Sequence, residues 1–233
     1  MRFECVSRTH VGLKRPINED NCLLRPEKGL FVVADGMGGH EAGEVASARI
    51  VEALTRLEPV TEATVVATLE QVNDDLLELA QSGEASRTIG STVVGLLMDG
   101  GSLSCFWAGD SRAYQLRDGV LTQLSRDHSL VQELLDAGMI DPDRAHAHPN
   151  GNVITRAVGA SDTLRVEVAR SELRAGDLYL LASDGVTRVV PDEELGAALN
   201  APASSNEIAD GLVWTILRRG APDNLTMVLV RVG

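Results

Sequence analysis

The stretch VVADGMGGHEAGE, Val32 to Glu44, delivers one aspartate, Asp35, from an apolar run into a loop that holds Gly36, Gly38, Gly39 and Gly43. The run Leu30–Ala34 reads as a buried strand. From Glu44 to Leu57 the residues Val45, Ile50, Leu54 and Leu57 recur near the spacing of one helix face. The loop therefore joins a core strand to an amphipathic helix. It could cradle a phosphate through its amides, hold a metal through its carboxylate, or simply turn a corner. The choice depends on whether other strands bring partners to Asp35.

Working outward, residues 3–8 and 21–25 read as short strands, and a second helix covers 61–81 with Val65, Leu69, Val72, Leu76 and Ala80 in register. Strands follow at Ser91–Met98, Ser102–Ala108, Ala113–Arg117 and Leu121–Leu124, the last two joined at Asp118-Gly119 as a hairpin. Ser129–Ala137 is a short helix stopped by Gly138, and the polar segment Ile140–Asn152 reads as an exposed, mobile loop. Strands resume at 164–169, 178–182 and 225–232, with helices at 192–199 and 205–219. Hairpins combined with paired helices predict an α+β sandwich with helices outside the sheets, one domain over 1–233. Trp107 and Trp214 read as core or sheet-packing residues.

Composition narrows the function classes. The 233 residues are 44% hydrophobic and 24% charged, with a net charge of −13, ordinary for a globular chain apart from its acidity. That charge argues against nucleic acid and anionic membrane as partners, because both would be repelled. Cys5, Cys22 and Cys105 are scattered and form no CxxC pair, which suits the reducing cytoplasm. No signal-peptide core follows Met1, and no apolar run approaches the ~20 residues of a membrane helix.

Three apolar strands end alike: LFVVADG at Asp35, CFWAGDSR at Asp110 and LYLLASDG at Asp184. A fourth aspartate, Asp223 in APDNLTMVLV, opens the last strand. One Asp-Gly is ordinary turn chemistry, but four carboxylates at strand ends form a rigid acidic platform that repels itself and calls for cations. Carboxylates and backbone carbonyls suit Mg²⁺ or Mn²⁺. Zinc is disfavoured, since His10, His40, His128, His146 and His148 show no metal-ligand spacing. In RPINED, Arg15 offers a planar fork for phosphate oxygens, and Glu19 and Asp20 follow where they could hold water around a metal. Two cations roughly 3.5–4 Å apart can activate water and stabilise an in-line displacement at phosphorus.

The segments RPINEDN, VVADGMGGHEAGEVAS, GSTVV, WAGDSRAYQLRDG, LSRDHSLVQEL, HPNGNVITRAVG, LLASDGVT and APDNLTMVLV, in that order, resemble the metal-dependent (type 2C, or PPM) serine/threonine protein phosphatases, particularly the compact bacterial type. The resemblance implies a central antiparallel β-sandwich flanked on both faces by pairs of helices. It implies two Mn²⁺ or Mg²⁺ ions bridged by Asp35, with the Gly36 carbonyl on one and Asp184 and Asp223 on the other. Glu19 and Asp20 would act through metal-bound water, Arg15 would bind phosphate, and Asp110 is similar to an aspartate that helps hold a third, weaker ion. Ile140–Asn152, with His148 and Asn152, falls where the family has a substrate-influencing flap. The implied reaction is direct attack of a metal-bridging hydroxide on phosphoserine or phosphothreonine, without a phosphoenzyme. The implied partners are phosphorylated proteins, a bacterial Ser/Thr kinase among them, acted on by a cytoplasmic monomer.

The chain departs from the family in two places. Met37 stands where some members carry a histidine proposed as general acid, leaving His40 as a nearby candidate. Arg188 stands where many carry an acidic residue, and reads either as an exposed helix-end change or as altered charge beside Asp184. Two rival readings fit less well. A phosphatase-like module that only binds phosphoproteins would be expected to lose a metal aspartate, yet Asp35, Asp184 and Asp223 are all present. A nucleotide-binding loop fails on chemistry: no lysine follows Gly43, Glu41 takes the third glycine place of a GxGxxG, and Asp35 would repel a pyrophosphate.

Overall fold

The structure, a computed structural model, describes residues 2–38, 42–82, 88–141 and 148–233. Its apolar strand runs lack polar alternation because each strand meets a core on both faces. On β3 (Leu30–Met37), Leu30, Val32 and Ala34 face one core, while Phe31 and Val33 face another. The late strands β10 (Leu178–Ala182) and β11 (Leu225–Val232) behave alike: Leu178, Leu180, Met227 and Leu229 point one way, and Tyr179, Leu181, Val228 and Val230 the other.

Two antiparallel sheets result. One has the order β1-β11-β10-β7-β8 and adds β1 (Phe3–His10), β7 (Arg112–Arg117) and β8 (Val120–Gln123). The other has the order β2-β3-β5-β6-β9 and comprises β2 (Asp20–Arg25), β3, β5 (Val93–Asp99), β6 (Ser102–Ala108) and β9 (Glu167–Glu172). The two-residue β4 (Gly90–Ser91) pairs with the end of β3. Helices α1 (Ala42–Thr55) and α2 (Glu62–Ser82) cover the second sheet through Ile50, Leu54, Val65, Leu69 and Leu76. On the first sheet lie α5 (Asp192–Leu199) and α6 (Ser205–Arg218), packed through Leu195, Leu199, Ile208, Leu212 and Ile216. Two short helices, α3 (Leu130–Asp136) and α4 (Asp184–Thr187), complete the α-helices among the described residues. The α+β sandwich with paired outer helices is the architecture expected from the sequence.

Local chemistry explains the punctuation. Asp118 and Gly119 both take positive φ, 51° and 79°, as a two-residue type I′ hairpin turn requires. Ser129 caps α3 by accepting from the Gln132 amide, and Gly138 at φ 66° ends that segment. Ser204 and Glu207 form a capping box at α6.

Three expectations shift. The strand read at 164–169 forms at Glu167–Glu172, because its ladder is set by pairing with Ser102–Trp107 of β6. Leu164, Val166 and Val168 pack on the helix-side core. α4 was not anticipated as a helix. Trp214 is no core residue: it lies across α6 from Leu212 and Ile216, is 59% exposed, and carries the Arg218 guanidinium 4.5 Å above its ring.

Gly95 on β5 pairs directly with Phe106 on β6, and a Cβ there would collide with the tip of the Phe106 ring, at Cζ. Gly95→Val should therefore lower stability by about 1–3 kcal/mol through overpacking. The check is a urea midpoint at unchanged slope; a wild-type midpoint would show that the ring moves aside freely.

Candidate active site

The acidic residues meet where the ends of the two sheets face each other. Asp35 sits directly across the β2–β3 ladder from Asp20. Asp110 precedes β7, Asp184 follows β10 as the first residue of α4, and Asp223 precedes β11. Hydroxyls sew these ends together. The Asp35 carbonyl accepts from the Thr92 amide at 2.8 Å and the Ser91 hydroxyl at 3.0 Å. The Thr92 and Ser111 hydroxyls share a 2.7 Å hydrogen bond beside Asp110. The Ser183 hydroxyl donates to Asp20 Oδ2 and accepts from the Thr226 amide, both at 2.9 Å, so it bridges one sheet to the other.

The glycines of the Val32–Glu44 loop let three backbones converge. A Cβ on Gly36 would collide with the Gly43 carbonyl. The Gly36 amide donates to the Glu19 carbonyl at 3.2 Å, and the Gly43 amide, in the first turn of α1, donates to Glu19 Oε1 at 3.1 Å. The N-terminal turn of α1 thus holds a carboxylate of the chain itself, a favourable pairing of anion and helix N-terminus. Burial raises the Glu19 carboxyl, while the Gly43 bond and Arg15 oppose the rise.

Sequence reasoning did not single out Asn224. Its Oδ1 accepts from the Glu19 amide at 2.8 Å, and its Nδ2 donates to the Val11 and Ile17 carbonyls, both at 2.9 Å. One buried carboxamide thereby fixes the 11–19 loop, with Arg15 and Glu19, to the start of β11. The backbone carbonyl of Asn224 also lies where a Cβ on Gly185 would fall, so the chain beside Asp184 and the chain beside Asp223 approach closely.

Burial is the first cause of the unusual acidity of the cluster. It raises Asp35 well above the carboxylate range, reinforced by Asp20, Asp184, Asp110 and Asp223. Asp20 rises to about 7 by burial, against the Thr226 and Ser183 hydrogen bonds. Asp110 rises to about 7 by burial and the Asp184 charge, opposed by Arg188. Burial likewise raises Asp184, with Arg188 opposing. Asp20 Oδ1 and Asp110 Oδ1 are buried with no hydrogen-bond partner. Crowded oxygen donors with uncompensated lone pairs fit a hard divalent cation.

Two arginines supply positive charge at the site. Arg15 grips Asp223 through Nε–Oδ1 and Nη2–Oδ2, each 2.8 Å, with its own side chain half exposed. Arg188 reaches inward rather than lying at an exposed helix end. Its Nε is 3.1 Å from Asp184 Oδ2, and its Nη2 is 3.2 Å from Asp110 Oδ2. Among the described residues no group of three or more acidic, histidine or cysteine side chains is placed to hold a metal ion; Asp223 is turned onto Arg15, and Asp184 and Asp110 onto Arg188.

A cleft of about 450 Å³ runs from Asp110 and Asp184 to His148, Gly151 and Asn152. Its far wall is braced by Arg112, whose fork grips Asp127 at 2.7 and 2.9 Å. His148 Nδ1 accepts from the Asn150 amide at 3.2 Å. Met37 pairs with Gly90 at the end of β3. His40 and the flap positions 142–147 lie outside the described residues.

Comparison with known proteins agrees with this geometry. Residues 10–221 match the Protein phosphatase 2C family. The chain is 39% identical over 231 residues to the serine/threonine protein phosphatase PstP of Mycobacterium tuberculosis, covering 97% of this chain and 44% of that protein's length. It superposes on the structure of PppA, a key regulatory component of T6SS in Pseudomonas aeruginosa, with a TM-score of 0.92, 42% identity, and coverage of 100% and 99% of the two chains. The PstP catalytic domain in complex with two manganese ions superposes with a TM-score of 0.89 at 37% identity, covering 100% of this chain and 99% of that one. The carboxylate cluster at the sheet ends and these similarities agree: the chain belongs to the protein phosphatase 2C family.

Proposed function

We propose that this chain is a protein-serine/threonine phosphatase that depends on Mn²⁺ or Mg²⁺, with phosphorylated proteins as substrates and a Ser/Thr kinase among them. One observation carries the reading: buried, mutually repelling aspartates gathered at the ends of two facing sheets, with carboxylate oxygens left without partners. Asp35, the Gly36 carbonyl, Asp184 and Asp223 would hold two ions, with Glu19 and Asp20 acting on them through water. The bound ions supply Lewis-acid activation of water and of the phosphoryl oxygens.

The chain's own groups do the remaining work. Asn224 and Ser183 lock the 11–19 loop and the two sheet ends, so the carboxylates cannot relax apart. Arg15 stands at the site's edge with a two-pronged guanidinium whose fork matches a pair of phosphate oxygens as well as it matches Asp223. The open cleft beside Asp110 admits an extended peptide segment next to the carboxylates. A direct attack by water, without a phosphoenzyme, is supported by the thiols. Cys105 is buried between the sheets and pushed up to about 12 by burial, and burial also raises Cys5 and Cys22. None of the three offers a thiolate at the site. His128 is buried against Trp107, and burial and Arg156 lower its pKa. Among the described residues no helix is long and apolar enough to cross a membrane, and we place the enzyme in the cytoplasm as a monomer.

Asp35→Asn should reduce Mn²⁺-dependent hydrolysis of a phosphothreonine peptide by more than the about 10–100-fold typical of losing a residue outside the direct ligand set. Its circular dichroism should stay native. Near-normal turnover by that variant would refute the two-metal reading.

The acidic cluster also sets a pH dependence for the metal-free protein. Asp20 and Asp110 titrate near 7 in the folded chain, far above the ordinary 3.8. The folded state therefore binds more protons than the unfolded state between those values, and stability falls as pH rises through that window. With EDTA present, the melting temperature should drop from pH 5.5 to pH 8. Mn²⁺ at about 100 times its Kd should restore about 2.7 kcal/mol per ion, and at one fixed Mn²⁺ concentration the gain in melting temperature should be larger at pH 8 than at pH 5.5. A melting temperature that is flat or rises with pH under EDTA would contradict the crowding of the carboxylates.

A further inference from the structure

Among the described residues, Arg188 is the one cation that touches both the carboxylate cluster and the segment beyond it. It follows α4, four residues after Asp184, so one helical turn stacks its stem over that aspartate. Its guanidinium meets Asp184 through Nε and Asp110 through Nη2. The same Nη2 donates to the Gly151 carbonyl at 3.0 Å, and Nη1 donates to the Asn152 side chain. Asp110 is only 5% exposed, and Arg188 is the only cation bonded to it among the described residues. An acidic side chain at 188 would put a third carboxylate beside Asp110 and Asp184, and that oxygen-rich trio would suit a divalent ion. An arginine instead fills the place with a charge that never dissociates and with planar donors that reach several acceptors at once.

Resting on the phosphatase reading above, we propose that Arg188 is a built-in substitute for a third metal ion. It neutralises Asp110, limits the site to two ions, and pins residues 151–152 to the rim of the cleft. Asp110 is then a partner of arginine and not a metal ligand. The 151–152 segment, which borders the cleft where a phosphopeptide lies, is anchored at every metal concentration. Arg188 is a positioning residue, since it acts on the cleft through Gly151 and Asn152.

The test counts ions with Mn²⁺ alone as the probe, by isothermal calorimetry and native mass spectrometry on the full chain. Wild type should bind two, and Asp110→Asn should still bind two with affinities within about twofold of wild type. Arg188→Asp should gain a third, weaker ion. Three ions in wild type, with one lost in Asp110→Asn, would overturn the proposal even if Arg188→Asp does not fold. The tether has its own readout. In Arg188→Gln, hydrogen exchange at the Gly151 and Val153 amides should rise at least tenfold while the count stays at two; unchanged exchange would overturn the anchoring. Turnover of a phosphothreonine peptide on the same wild-type samples checks the phosphatase reading separately, because the ion count and the exchange rates do not depend on it.

Discussion

Repulsion among carboxylates at the meeting of two sheet ends is the constraint around which this molecule is arranged. An isolated aspartate at a strand end would turn into water and keep its ordinary acidity. Here Asp20 and Asp35 face each other across one ladder, and Asp110, Asp184 and Asp223 arrive from the other sheet. Dispersal is blocked. Ser183 ties Asp20 to the Thr226 amide, Asn224 binds the loop that bears Glu19, and the Thr92–Ser111 pair ties the Asp35 and Asp110 strands together. The repulsion is thus held in place by rigid elements and is available for cations.

The four-layer architecture makes that rigidity possible. Each central strand packs on both faces, so a shift of one residue would move side chains such as Phe31 and Tyr179 out of the inter-sheet core and into the helix-side cores. The register is therefore fixed by packing far from the site, and the strand ends inherit it. The glycines serve the same end. Gly36 and Gly185 sit where a side chain would strike a neighbouring backbone carbonyl, and both directly flank an aspartate of the cluster. Their role is close approach, since neither takes a positive φ.

Much of this was legible in the sequence because it is local. Apolar runs ending in aspartate, a hairpin at Asp118-Gly119 and two amphipathic helices each announce themselves within a few residues. Pairing across long separations does not. The register of β9 depends on β6, sixty or more residues earlier in the chain, so the strand was read in the wrong span. Asn224 resembles any turn asparagine until its partners at Val11, Ile17 and Glu19, roughly two hundred residues away, are known. Trp214 was misjudged because hydrophobicity alone does not give the phase of a helix; Ile208, Leu212 and Ile216 define the buried stripe and leave it outside. The same limit applied to Arg188. Its distance from Asp184 along the chain was visible, but its reach to Asp110 and Gly151 required the fold.

The glycine-rich loop that first suggested a phosphate cradle shows how the surroundings of a motif decide its meaning. Amides at a helix N-terminus attract anions, and the Gly43 amide does so here, but the anion is the side chain of Glu19. With that amide committed to an internal carboxylate and Asp35 at the head of the loop, a phosphate approaching on its own would meet negative charge before it met a donor. It becomes welcome only through cations. Arg15 and Arg188 provide two fixed ones at the site, each already paired with an aspartate, and hard divalent ions fit the remaining oxygens. A chain with a net charge of −13 can thus act on another anion, because its excess negative charge at this point is what draws in the metal.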